Sequence, residues 1–170
     1  MLTQERLKEL LHYDPDTGLF TWNVSRGRAR AGSVAGSHDG GRGYIMIRID
    51  GKNHLAHRLA FLYVNGSFPP AGVDHIDHCT RNNSWANLRL ATQAENCKNS
   101  RINTKNTSGY KGVTWDKSKG KWMAQARLNI TKYYLGRYPT AEAASTAYES
   151  FARKHHGEFY HPTRTGMDAV

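Results

Sequence analysis

Cysteine is almost missing from this chain. Cys79 and Cys97 are the only two in 170 residues. Two thiols build no disulfide framework, and a reducing cytoplasm is the expected setting. Long apolar runs are missing too: nothing approaches the roughly 18 consecutive apolar residues of a membrane span. The opening Met1-Leu2-Thr3-Gln4-Glu5-Arg6 lacks the apolar core of a signal peptide, which argues against secretion. Acidic residues are scarce, 14 Asp and Glu against 24 Lys and Arg, which leaves a net charge of +10 and a pI near 9.8. An excess of that size points to a polyanion as partner, nucleic acid or an anionic membrane surface. A structural protein of a ribonucleoprotein particle would carry a similar balance. Hydrophobic residues make up 38%, enough for a core in one ordinary domain or two small ones.

The segment pattern is mixed α+β. Leu2, Leu7, Leu10 and Leu11 mark one face of an N-terminal helix that Thr3 can cap. Tyr13 to Gly18 reads as a turn and Leu19 to Trp22 as a short strand. From Arg26 to Gly43 the chain is rich in Gly, Ser and Arg. No Gly-Lys-Ser/Thr follows, so a phosphate-binding P-loop is excluded and a mobile basic loop is expected. Tyr44 to Ile49 is strand-like, Asp50-Gly51 signals a hairpin, and His57 to Val64 reads as a short apolar helix. Residues 98–109 hold Ile102 as their one large aliphatic side chain and read as a linker. No internal repeat is visible.

The chemistry concentrates in Val73-Asp74-His75-Ile76-Asp77-His78, Asn82-Asn83, Asn87-Leu88-Arg89 and Thr92 to Asn96. Phosphodiester hydrolysis needs a base for water and a cation for the charge on phosphate and leaving oxygen. Asp74 and Asn96 can offer oxygens to a hard divalent ion, and His75 can act as the base. Thr92 and Glu95 have capping-box spacing, which places Asn96 in a first helical turn with N–H groups open to a phosphate. Adjacent strand residues point to opposite faces, so Asp74 and His75 converge only where a strand ends or twists. Taken singly, His75 and His78 read as surface or core-rim histidines. Asp77 reads as a turn residue rather than a carboxylate supporting the site. Asn82, Asn83 and Asn87 singly read as turn formers, but together with the Asp-His pair they favour function. Cys79, Cys97 and His78 could be zinc ligands, but structural zinc takes four closed ligands and no Cys-x-x-Cys pair is present. Incidental or buried thiols are the better reading.

These residues, with His57-Arg58-Leu59-Ala60 upstream, resemble the HNH homing endonucleases of phages and mobile introns over roughly residues 43–99. The resemblance implies a ββα-metal (His-Me finger) core holding one divalent metal ion, Mg²⁺ or Mn²⁺. Asp74 and Asn96 would bind it, His75 would activate water, and Asn87 would brace the loop and orient His75. Arg58 and Arg89 would contact DNA.

The C-terminal part carries three strand-like runs, Gly109 to Trp115, Lys121 to Arg127 and Tyr133 to Tyr138. A helix follows, opened by Pro139-Thr140 and buried along Ala143, Ala144, Ala147, Tyr148 and Phe151. Tyr110-Lys111-Gly112-Val113, Lys121-Trp122, Tyr134-Leu135-Gly136 and His156-Gly157-Glu158-Phe159 resemble the Apetala-two/ERF DNA-binding domain. In that family the three-stranded sheet, packed on its helix, enters the major groove. The resemblance places Lys111, Trp115, Arg127 and Arg137 toward DNA, with Trp122 and Tyr134 as further candidates and Tyr138 on the helix side.

The expected organisation is a mixed N-terminal region (1–42), a nuclease core (43–99), a basic linker (100–108), a sheet-and-helix module (109–160) and a tail (161–170). Lys98, Arg101 and Lys105 would follow phosphates along the linker. The expected function is site-directed cleavage of double-stranded DNA in the cytoplasm of a bacterial or phage-infected cell. A single site would nick as a monomer, leaving 5′-phosphate and 3′-hydroxyl ends. No feature marks a membrane or a protein partner. The rival readings are a non-cleaving DNA-binding regulator that keeps the core as scaffold, and an RNA-binding module of a phage particle.

Overall fold

Thr3 starts the first helix: its hydroxyl accepts the Arg6 N–H at 3.2 Å and caps α1 (Gln4–Leu10). The structure is a computed structural model that describes residues 1–160 apart from 40, 42, 99–101, 103–105 and 129; of residues 97, 98, 156 and 158 it describes the backbone alone. The helix ends one leucine earlier than the apolar pattern suggests. Leu11 is already extended and begins β1 (Leu11–Tyr13), antiparallel to β2 (Phe20–Trp22). Alternation decides this, because Leu11 and Tyr13 are buried on one face while His12 is exposed on the other.

The Gly/Arg-rich stretch, expected as a mobile loop, is partly built into a sheet. There β3 (Ser37–His38) pairs with β4 (Ile45–Ile49), and Thr21 bridges Val34. The Asp50-Gly51 turn joins β4 to β5 (Lys52–Leu55) as the sequence predicts. α2 (Ala56–Asn65) buries Leu59, Ala60, Phe61 and Leu62 in a cluster with Leu7, Leu11, Phe20, Ile47 and Ile49. Then β6 (Gly72–His75) and β7 (Leu88–Ala91) form an antiparallel hairpin with Asp74 opposite Arg89 and His75 opposite Leu88. α3 (Gln93–Lys98) begins directly after Thr92, giving the chain order strand, strand, helix.

Contacts divide the chain into two compact units, Met1–Gln93 and Ala94–Val170. The second holds β8 (Val113–Asp116), β9 (Lys121–Leu128) and β10 (Thr131–Tyr138), an antiparallel sheet with β9 at its centre. α4 (Ala141–His156), capped by the Thr140 hydroxyl on the Ala143 N–H at 3.2 Å, covers one face. Val113, Ala124 and Ala126 meet Ala141, Ala144, Tyr148 and Ala152 there. Small residues let helix and sheet approach closely, and Gly112 takes this furthest. At φ +69° it lies where a Cβ would come within 2.2 Å of the Tyr148 ring. The whole is a mixed α+β fold of small antiparallel sheets.

Candidate functional site

At the end of β6, Asp74 is 4% exposed and His75 5% exposed. Two hydrogen bonds fix the His75 imidazole chemically. Asn83, 2% exposed, donates its Nδ2 to the Arg81 carbonyl at 3.2 Å, which turns its Oδ1 toward His75 Nε2 at 3.2 Å. An amide oxygen only accepts, so Nε2 carries the ring proton and Nδ1 keeps the lone pair.

The ring also sits in an aromatic setting. His57 of α2 meets it edge to face, with centroids 5.1 Å apart at 87°, and Tyr44 lies 5.2 Å from His57 and 6.1 Å from His75. His57 is buried and its Nδ1 has no hydrogen-bond partner. Burial first, then the neighbouring His75 and Arg58, push its pKa down to about 3, so it stays neutral beside His75.

The loop from His75 to Asn87 is knotted around Asp77. Its carboxylate accepts the Cys79 N–H at 2.7 Å, Asn82 Nδ2 at 2.8 Å and Asn87 Nδ2 at 2.9 Å. Asn87 Nδ2 also donates to the Asn82 carbonyl at 2.8 Å, while its Oδ1 accepts the Asp77 N–H at 3.0 Å. Burial opposes the charge on Asp77, and these donors outweigh it and hold the carboxyl below its usual range. Asn87 thus ties the loop to Asp77 and Asn82. The side chain hydrogen-bonded to His75 Nε2 is Asn83, one of the asparagines that the motif marks as functional but to which it gives no role.

Two arginines expected on DNA are turned onto the protein. Arg89 Nε and Nη2 both reach Asp74 Oδ2, at 2.9 and 2.7 Å, with the Arg89 side chain 14% exposed. Arg58 donates to the carbonyls of Ala71 at 3.4 Å and Pro69 at 3.3 Å, in the segment leading into β6. The physical reason is register: Arg89 stands opposite Asp74 across the hairpin. Asn96 lies half-buried in α3, and Cys79 is exposed. Arg101 and Lys105 fall outside the described residues, as does the Lys98 side chain. Among the described residues no three or more His, Cys, Asp or Glu side chains gather as a metal site.

In the second unit the register sorts the expected DNA contacts. Thr114, Met123 and Arg137 share one row, Gln125 and Tyr134 the next, Arg127 and Lys132 the next, all on the face away from α4. Trp115 departs from expectation. It pairs with Trp122, ring centroids 5.1 Å apart, on the side of Val113 and the helix. Its place on the open face is taken by Tyr134, 58% exposed. Arg137 lies 5.2 Å over the Tyr134 ring, donates to its hydroxyl at 3.1 Å, and pairs with Asp116 Oδ2 at 2.7 Å. The Ser118 hydroxyl and then Arg137 hold the Asp116 pKa down to about 2. Lys111, ahead of β8, is half-buried, and burial lowers its pKa.

Comparison with known proteins meets this geometry from outside. The HNH endonuclease family model matches residues 54–98, and the AP2 domain model matches residues 108–158. An uncharacterized HNH endonuclease, L560, of Acanthamoeba polyphaga mimivirus is 33% identical over 126 residues, which span 74% of this chain and 65% of that protein. Protein 3.8 of Escherichia phage T7 is 32% identical over 96 residues, 56% of this chain and 78% of that one. The HNH homing endonuclease I-HmuI, solved in a study of its DNA binding and cleavage, aligns at a TM-score of 0.39 and 20% identity. That alignment covers 79% of this chain and 75% of the other. The chain carries an HNH endonuclease segment with an AP2 domain behind it. Among the described residues no helix is long and apolar enough to cross a membrane.

Proposed function

We propose that the chain is a site-directed DNA endonuclease of homing type, with His75 as general base and the open face of the β8–β10 sheet as the anchor on duplex DNA. The observation that carries the reading is the His75–Asn83 pair. It leaves Nδ1 as the basic nitrogen, next in sequence to a buried carboxylate. Attack on the phosphodiester begins with His75 Nδ1 taking a proton from water while Asn83 holds the other side of the ring. Arg89 keeps Asp74 in one orientation, and Asn87 keeps the loop closed through Asp77.

The donor chemistry fits an oxygen-liganded divalent ion of the Mg²⁺ or Mn²⁺ kind, with Asp74 and the amide of Asn96 as the residues that would hold it. When bound, such an ion neutralises charge on the scissile phosphate and leaving oxygen. Arg127 and Arg137 would meet the major groove, joined by Lys111. Lys98, Arg101 and Lys105 would follow the phosphates along the segment between the HNH and AP2 matches. Arg58 and Arg89 brace the site instead of binding DNA, and Trp115 supports the sheet. A single copy of His75 predicts a nick from a monomer.

The test is to incubate the protein with duplex flanking its own gene, with Mg²⁺, with Mn²⁺ and with EDTA, and to map cuts on a sequencing gel. Nicks at one place that EDTA abolishes support the reading. Tight duplex binding with no cut under any metal would identify a regulator instead.

A further inference from the structure

The N-terminal turn, Asp14 to Leu19, reaches the catalytic loop of the same unit at three consecutive residues. The Tyr13 hydroxyl, inside the core with Tyr13 2% exposed, donates to the Asn83 carbonyl at 2.7 Å. The Pro15 carbonyl accepts the Trp85 N–H at 2.8 Å. Gly18, at φ +73°, lies so close that a Cβ would stand 2.2 Å from Asn83 C and 2.2 Å from Ser84 N. The turn is stiff in its own right. Asp14 accepts the Asp16 N–H at 3.0 Å and the Thr17 hydroxyl at 2.7 Å, and its carbonyl accepts the Gly18 N–H at 2.8 Å. Tyr13 is gripped by Phe20 and Tyr63, with ring centroids at 4.7 and 5.7 Å.

A brace of this kind has a chemical consequence, because Asn83 is the residue whose amide oxygen touches His75. The Asn83 side chain can hold the imidazole only as firmly as its own backbone is held. Its carbonyl, buried away from water, has the Tyr13 hydroxyl as donor. We propose that Tyr13 is a positioning residue of the nuclease site, acting through Asn83 to keep His75 in the Nε2–H tautomer, with Nδ1 as the basic nitrogen. The N-terminal hairpin is then part of the cleavage machinery and not an appendage to it. This rests on the reading of His75 as the base.

Tyr13→Phe removes one hydroxyl and keeps the ring in its aromatic cluster. The full chain is compared as wild type, Tyr13→Phe and Leu7→Ala, the last a core variant of the same unit that leaves Asn83 untouched. Each is assayed below its melting temperature for single-turnover cleavage, for duplex affinity and for the His75 side-chain nitrogen shifts by NMR with the ring neutral. The expected result for Tyr13→Phe is a cleavage rate at least tenfold lower with duplex Kd within twofold of wild type. Its His75 shifts should move from the Nε2–H tautomer toward a mixture, while Leu7→Ala keeps the wild-type rate and shifts. A single Nε2–H tautomer in Tyr13→Phe, or an equal loss of rate in Leu7→Ala, would overturn the proposal. The NMR readout needs no cleavage. A wild type that never cuts therefore refutes the endonuclease reading, while the tautomer still decides the role of Tyr13.

Discussion

At His75 the decisive contact is the one to Asn83 Oδ1, because in the neutral ring it assigns the proton to Nε2 and leaves Nδ1 as the nitrogen that the proposed mechanism uses as base. A base acts on water and not on DNA affinity. His75→Ala should therefore slow cleavage by ~10²–10⁴-fold and leave duplex Kd nearly unchanged. Single-turnover nicking beside a filter-binding titration checks this, and a rate within tenfold of wild type would exclude His75 as base. A second residue-scale expectation concerns Asp116, an acidic group on the open face of a basic sheet. Its pKa is depressed to about 2, first by Ser118 and then by Arg137. A depressed carboxyl contributes above its ordinary value and is lost only as pH falls through the folded one. The Asp116–Arg137 pair is thus intact across the whole neutral range. Asp116→Asn should raise affinity for random duplex, by removing a negative charge, and lower the preference for target, by releasing Arg137. The gap between the two proteins should stay constant from about pH 5 to pH 8, which competition binding across that range will read.

At the scale of elements, the β6–β7 hairpin turns a sequence motif into a site. Its register puts Arg89 across from Asp74, and both arginine donors fall on one carboxylate oxygen. Breaking a buried pair strands the other charge, so Arg89→Ala should cost roughly 3–5 kcal/mol in denaturant unfolding. It should also raise the divalent-metal concentration needed for half-maximal cutting. A variant with wild-type stability and metal response would show that Asp74 needs no such partner. The motif itself was legible: Asp74, His75 and Asn87 stand out by type and order. The partners were not, because cross-strand register is set by pairing and not by spacing. Arg89 and Arg58 read as DNA contacts from the resemblance, and Asn83 stood in the motif without a partner assigned to it. The sheet of the second unit repeats the lesson. Three strands and a capped helix were plain in the sequence. The side each aromatic takes was legible in part. Tyr138 packs toward the helix and Tyr134 stands on the open face, while Trp115, expected on that face, pairs with Trp122 on the other. In the first unit, the strand β1 was hidden inside a leucine pattern that suits a helix up to Leu11.

For the whole molecule, the question is how cleavage and recognition are divided between the two units. Base contacts and phosphate contacts differ in what they do to affinity. Groove contacts from Arg127 and Arg137 would each contribute ~1–3 kcal/mol of preference for the right base. Phosphate contacts from Lys98, Arg101 and Lys105 would steepen the salt dependence without any preference. A fragment ending at Thr104 keeps the HNH segment and loses the AP2 domain. It should bind target and random duplex alike and weakly, and still nick at high concentration. A fragment of residues 106–170 should bind without cutting, since it lacks His75. Affinity for target and random duplex at two salt concentrations, for the full chain and both fragments, separates the terms. The full chain should show a target-to-random ratio that survives added salt, because base contacts are less screened than phosphate ones. Binding by the fragment ending at Thr104 should fall steeply with salt and show no preference at either concentration. If the fragment ending at Thr104 keeps the full ratio, recognition lies in residues 1–98, and the open face of the β8–β10 sheet adds affinity alone.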